Sequence, residues 1–168
     1  MAGLGQPTYT ELSVTILTAD FQIHGKLHVL GTVGMFLNDS AKPNLIVYDA
    51  DVMAVDAANP AKVSRPELIV SKRMAQIVAF DQVPGQGEVQ LLPKTENMLA
   101  YLDRCVVQGT FLMGEDARFA DFAEAALQQF ILVTNFKIYP LFQAKAGILP
   151  HAEMGMVQKT TIRMYHKA

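Results

Sequence analysis

Hydrophobic and polar positions alternate along the segment from Phe21 to Val29. Its odd-numbered positions hold apolar residues or glycine, and its even-numbered positions hold Gln, His, Lys and His. A period of two residues is typical of a β-strand with one buried and one solvated face. Gly25 lies on the apolar face and predicts a bend, where a small sheet curls towards a barrel. The β-branched run at residues 13–18 predicts the preceding strand.

The rest of the first half continues as short apolar runs separated by loops. Residues 45–48 are apolar without alternation, which is typical of a strand buried on both faces. Residues 68–70 and 76–80 predict two further strands, or one strand that bends near Lys72 and Arg73. Residues 56–66 contain two prolines and predict a loop, and residues 31–40 predict a loop with at most one helical turn.

The second half repeats the order of apolar runs in the first. Residues 97–113 align without gaps on residues 13–29, at a shift of 84, and a glycine occupies the same place in both. Residues 130–133 then align on residues 45–48 at a shift of 85. The pattern predicts a duplication. The alternative is that alternating β sequences align loosely with one another.

One segment has helical rather than strand periodicity. From Phe119, apolar residues recur at i, i+3, i+4, i+7 and i+8, which predicts one amphipathic helix near 116–128. Residues 83–96 are rich in Pro and Gly and predict a linker. It divides the chain into a first unit with an N-terminal arm, at 1–82, and a second unit at 97–168 that holds the helix.

Composition narrows the classes of protein. Hydrophobic residues make up 51% of the 168 residues and charged residues 18%, against a usual ~25%. Such a chain is not intrinsically disordered. The net charge of −2 argues against strong electrostatic capture of nucleic acid. The sequence predicts no signal peptide and no membrane span, so a cytoplasmic location is the default expectation.

The histidines do not form a metal site in this pattern. His24 and His28 share a face of the predicted strand, but at ~3.3 Å per residue they lie ~13 Å apart. One ion requires ligands at about 2 Å each, so the pair cannot hold it together. His151 and His166 lack a partner at a suitable spacing. We therefore predict no metal and no cofactor.

Two other features are candidates for a catalytic or metal-binding site: a pair of aspartates and the single cysteine. Asp49 and Asp51 end a predicted strand, with Asp56 close by, and turn formation is a more ordinary role for them than metal binding or catalysis. Cys105 is the single cysteine and lies on the presumed core face of its strand, which predicts a structural thiol rather than a nucleophile. No nucleotide-binding or hydrolase motif is present.

Basic and methionine residues near the end of the chain are the candidate interaction residues. The basic cluster fits either phosphate contacts or a solvated sheet edge. The methionines share a strand face and fit either an adaptable contact or core packing. The candidates are Lys159, Arg163, His166, Lys167, Met154 and Met156.

Residues 23–50 contain a G-x-L-H strand, an F-L-N turn and a strand that ends in D-A. They resemble an uncharacterised bacterial family of short single units. That family in turn resembles Sm-like small β-barrels, which share a G-x-L step and a downstream Asn, matched here by Gly25, Leu27 and Asn38. The resemblance implies a curled five-stranded barrel and a tendency to form rings. It implies no activity.

Together these patterns predict a mostly-β protein made of two tandem small Sm/SH3-like barrels, with one amphipathic helix in the second. The predicted core is Ile16, Phe21, Ile23, Leu27, Val29, Ile46, Ile77, Val107, Phe111, Phe122, Ile131 and Ile162.

Three functions are open. The first is a non-enzymatic structural or assembly subunit, a homo-oligomer or part of a larger complex, because few charges and many apolar residues suggest surface hidden by a partner. The second is Sm-like binding of single-stranded nucleic acid. The third is a small-ligand binder or enzyme that uses Asp49 and Asp51.

Overall fold

The computed structural model describes residues 8–59, 61–85, 89, 94–126, 128–145 and 147–168. The strands are β1 (Thr10–Leu17), β2 (Phe21–Val29), β3 (Asn44–Ala54), β4 (Val63–Ser71), β5 (Ile77–Phe80), β6 (Lys94–Tyr101), β7 (Cys105–Met113), β8 (Phe130–Pro140), β9 (His151–Gln158) and β10 (Met164–Lys167). The short helices are α1 (Val33–Asn38) and α2 (Phe122–Ala125), and 3-10 turns lie at Phe119–Asp121 and Lys159–Thr161.

All of these strands form one antiparallel sheet in the order β10-β6-β7-β8-β9-β5-β1-β2-β3-β4. Within the first half the order is β5-β1-β2-β3-β4, and within the second it is β10-β6-β7-β8-β9. The two halves therefore have the same topology. They are joined where β5 pairs with β9. The mostly-β prediction is confirmed, and a common origin of the halves stays a prediction.

The sheet bends at equivalent places in the two halves. The register shifts around Gly25, between β2 and β3, and around Gly109, between β7 and β8. On the strands opposite, Asp49 and Asn135 both have a φ of 48°, a region that Asp and Asn tolerate better than most residues. These two residues lie 86 positions apart, so the predicted shift of 85 for these strands is wrong by one residue.

Two hydrophobic cores share the central strands of the sheet, β8, β9, β5 and β1. On β5, Val78 belongs to the first core and Ile77 to the second. On β9, Met156 belongs to the first and Val157 to the second. Successive side chains of a strand point to opposite faces, so a strand between two cores is buried on both faces. The largest fully buried side chains are Phe111, Phe130, Phe136, Ile16, Leu27 and Leu37.

The predicted closed barrels are not observed, because the sheet is open. Among the described residues, β4 and β10 each pair with one neighbouring strand. Residues 45–48 are not buried on both faces, since Ile46 is exposed while its neighbours Leu45 and Val47 are buried. Phe21 is also exposed, and Ile162 is half-buried. The other predicted core residues are buried.

The predicted helix near 116–128 is much shorter than its periodicity suggests. The chain makes a 3-10 turn at Phe119–Asp121 and a single α turn in α2, and becomes extended at Ala126. Phe122 packs edge-on against Phe111 and Tyr165, so this single turn is enough to bury Phe122 of the apolar face in the core. Leu127 lies outside the described residues. The longer helix is α1, in the predicted loop of the first half.

A lysine, buried in the first half and half-buried in the second, stabilises each of these helical segments. The Lys72 ammonium donates to the carbonyl oxygens of Phe36 and Asp39, each at 3.0 Å, and burial lowers the pKa of Lys72. The Lys159 ammonium donates to the carbonyl oxygen of Ala126. Unpaired carbonyls at a helix end need such donors.

Two strands begin inside segments that the sequence predicts to be a loop and a linker. β4 begins at Val63 and includes Pro66, inside the predicted loop 56–66. Proline is accepted here because β4 is an edge strand. β6 begins at Lys94, inside the predicted linker 83–96. The predicted N-terminal arm lies largely outside the described residues, and β1 begins at Thr10.

The close approach at Gly109 leads to a stability prediction. A Cβ atom there would lie 2.6 Å from the Cβ of Phe136 and 2.9 Å from Cγ2 of Val133, well inside van der Waals contact. We expect Gly109→Ala to lower the free energy of unfolding by about 1–3 kcal/mol, as overpacking does. Chemical denaturation measures it. The control is Gly114→Ala, where nothing lies within 4 Å of the added atom. Equal effects of the two substitutions would contradict the packing at Gly109.

Candidate functional site

The two ends of the sheet are free strands. Among the described residues, β4 is bonded to β3 alone and β10 to β6 alone. Each edge strand therefore has a row of outward N–H and C=O groups with no ladder partner. Such a row is a template for pairing with another chain. Proteins that stay monomeric usually block such edges with charge, proline or a covering element.

Exposed apolar side chains lie on these edges. Ile69, on β4, is 64% exposed, and Met164, on β10, is 61% exposed. Ile46 lies directly opposite Ile69 in the β3–β4 register and is exposed too. Pro66 does not block pairing along the outer side of this strand. It lies opposite Asp49, where the ladder between β3 and β4 is already interrupted. The edges therefore combine unpaired backbone with apolar surface.

The basic residues of the predicted cluster are paired with carboxylates. The Nε atom of Arg163 donates to Asp103 at 2.6 Å, and this hydrogen bond raises the pKa of Arg163. The Lys167 ammonium lies 3.5 Å from Glu96. Because both charges are locally balanced, their attraction for a phosphate backbone is weak.

The other two basic candidates also have partners within the chain. The Lys159 ammonium is turned back to Ala126. The Nε2 atom of His166 lies 3.1 Å from the Tyr101 hydroxyl oxygen. The structure thus brings Arg163, His166 and Lys167 together along β10, and it separates Lys159 from them.

The two methionine candidates face the interior. Met156 is buried in the first core, where it lies opposite both Leu132 and Val78. Met154 is half-buried, opposite Phe80. Both methionines therefore pack in the first core, at the centre of the sheet. The exposed apolar residue Ile69 on the edge strand β4, and Ile46 beside it on β3, were missed by sequence reasoning, although a proline within a strand is a signal of an edge.

The two histidines of β2 make separate contacts, His24 with a carboxylate and His28 with two tyrosine rings. The Nδ1 atom of His24 is 3.6 Å from Asp81. His28 is stacked between Tyr9 and Tyr48, with ring centroids 4.2 and 4.1 Å away. Within the part of the chain that the structure describes, no group of three or more His, Cys, Asp or Glu residues is placed to hold a metal ion.

Asp49 and Asp51 form ion pairs on the surface. Asp49 lies 3.6 Å from the Lys26 ammonium. Asp51 is 2.8 Å from the Lys62 ammonium and accepts a hydrogen bond from the Ser64 hydroxyl. These hydrogen bonds, that from Lys62 first, lower the pKa of Asp51. Both carboxylates are thus held by neighbouring strands and loops in an open surface depression.

Comparison with protein-family models, with curated proteins and with solved structures finds no match to this chain. In the described part of the chain, no helix is long and apolar enough to cross a membrane.

The environment of Cys105 predicts an unreactive thiol. It is buried in the second core, and burial raises its pKa to about 12. The thiolate is the reactive form, so the native protein should react with a disulfide reagent at pH 8 at least a hundredfold more slowly than the denatured protein. A Ser64→Cys variant, with an exposed second thiol, is the control. Rapid reaction of native Cys105 would contradict its burial.

Proposed function

We propose that this protein is a non-enzymatic assembly subunit that self-associates through the free edges of its sheet. The observation that supports the proposal is the presence of exposed apolar residues, above all Ile69 and Met164, on strands that have no outer neighbour within the described part of the chain. Full burial of one such side chain contributes about 1.5–3 kcal/mol. Added backbone hydrogen bonds supply direction and register.

The alternative, binding of single-stranded nucleic acid, has less support. Stacking aromatic residues and a positive groove are the usual means. Here Arg163 and Lys167 are balanced by Asp103 and Glu96, and the net charge is −2. Among the described residues, Asp49 and Asp51 contact Lys26, Lys62 and the Ser64 hydroxyl, and these surface contacts give no support to ligand binding or catalysis.

The assembly proposal predicts a mass of several subunits in solution. We expect light scattering on a sizing column to give this mass for the unmodified chain, and to give the monomer mass for Ile69→Lys, because a buried unpaired charge opposes edge pairing. Met35→Lys is the matched control, since Met35 is an equally exposed apolar residue away from the edges, on α1. A monomeric unmodified chain would overturn the proposal.

The same proposal predicts little affinity for nucleic acid. Titration of a labelled single-stranded oligonucleotide should show no binding at 50 mM salt. Binding that weakens as salt increases, and that is lost in Arg163→Ala, would instead favour the alternative function. The absorbance ratio at 260 and 280 nm of the purified protein is an independent check for carried nucleic acid.

A further inference from the structure

The strands that meet at the β5–β9 junction have equivalents in the other half, and those equivalents are the edge strands β10 and β4. β5 is the last strand of the first half, and β10 is the last strand of the second. β9 is at the opposite end of the second half, as β4 is in the first half. The chain pairs β5 with β9 internally, and among the described residues one strand of each kind, β10 and β4, has no neighbour on its outer side.

Backbone hydrogen bonds show which residues of β10 and β5 are equivalent. The Gln76 N–H donates to the Leu17 carbonyl at 2.8 Å, at the start of β5. The Arg163 N–H donates to the Tyr101 carbonyl, also at 2.8 Å, at the start of β10. Arg163 follows Gln76 by 87 residues, so each residue of β10 corresponds to the residue of β5 that precedes it by 87.

The same shift relates β9 to β4. The Lys72 N–H donates to the Pro43 carbonyl at 2.9 Å, just after β4. The Lys159 N–H donates to the Gln129 carbonyl at 2.8 Å, just after β9. Lys159 follows Lys72 by 87 residues, and both lysines also contact the helical segment of their own half.

At two pairs of equivalent positions, the edge residue is much more exposed than the junction residue. Met156 is 4% exposed at the junction, and its equivalent on β4, Ile69, is 64% exposed. Ile77 is fully buried at the junction, and its equivalent on β10, Met164, is 61% exposed. The apolar side chains at the edges therefore occupy positions that are covered wherever this junction forms. A second junction would cover them in the same way.

Charge at the edges is also complementary. Inside the chain, Phe80 lies opposite Met154. The equivalent residues at the edges are Lys167 and Glu67, which carry opposite charges and would lie opposite each other. Opposite charges directly across a strand pair stabilise it, and like charges would oppose it.

From these correspondences we infer that β10 of one copy pairs antiparallel with β4 of a second copy, as β5 pairs with β9 within the chain. This inference rests on the proposed function and specifies its partner and register. The expected pairs are Met164 with Val70, Tyr165 with Ile69, His166 with Leu68, and Lys167 with Glu67.

The contact joins unlike edges, so it is head-to-tail. An open series of copies retains one free β10 at one end and one free β4 at the other until it closes. A head-to-tail contact gives a ring when its rotation closes and a filament when it does not. A contact between two β4 strands would instead leave two free β10 strands.

Hydrogen bonding at the junction indicates where to place a cross-link. The Gln158 N–H donates to the Gln76 carbonyl at 2.9 Å across β9 and β5. Antiparallel pairs alternate between hydrogen-bonded and non-hydrogen-bonded, which makes Ala79 and Gly155 a non-hydrogen-bonded pair with Cα atoms about 4.5 Å apart. The equivalent pair between copies is His166 with Leu68. This separation is within the range of about 4.4–6.8 Å that a disulfide requires.

The test mixes two single-cysteine additions, Leu68→Cys and His166→Cys, under copper–phenanthroline oxidation. We expect a covalent dimer from the mixture and at least tenfold less from either variant alone. Ser64→Cys mixed with His166→Cys is the matched control. Ser64 lies four residues before Leu68 on β4, so it should not cross-link to position 166. Glu67→Cys mixed with Lys167→Cys is a second expected pair, on exposed positions that leave the cores intact.

The outcomes separate this inference from the proposed function. A multi-subunit mass with no cross-link in either expected pair would overturn the register while leaving self-association intact. Dimers from Leu68→Cys alone would indicate a β4–β4 contact and overturn the head-to-tail arrangement. A monomeric mass with no cross-linking would overturn both proposals.

Discussion

The pairing of β5 with β9 is the interaction on which the rest of the structure depends. It joins two five-stranded halves into one sheet and places their strands between two cores. All four residues of β5 are buried, since the first core covers one face and the second core covers the other. Without this junction, Ile77 and Met156 would lie at open edges, where their equivalents Met164 and Ile69 lie now.

The two halves achieve the same packing with different residues. In the second half, Gly155 leaves room for the Phe136 ring, because a Cβ atom at Gly155 would lie 2.9 Å from that ring. At the equivalent places the first half has the small Ala50 on β3 and the larger Leu68 on β4. Volume has been exchanged between neighbouring strands. Core packing constrains total volume more strongly than residue identity, which explains why the halves share topology but little sequence.

Composition alone gave an ambiguous argument for assembly. A high apolar content can fill a core or cover an interface, and the two central strands show that much of it fills two cores at once. Met154 and Met156, which looked suited to contacts, belong to that interior. The surplus that remains for a partner lies elsewhere, at Ile46, Ile69 and Met164. Their positions depend on which strands end the sheet.

The sequence by itself determined that the chain is mostly β and, where polar and apolar positions alternate, which face of a strand is buried. A two-residue period fixes side-chain direction locally: β2 has its predicted bounds, and Ile23, Leu27 and Val107 are buried. Gly25 and Gly109 likewise marked the bends. Strand order was decided by the tertiary structure. Pairing between distant strands, such as β5 with β9, leaves no local period, and neither does the absence of a neighbouring strand beside Ile69 and Met164 among the described residues. The candidate site consists of edges, and an edge is defined by what does not pair with it.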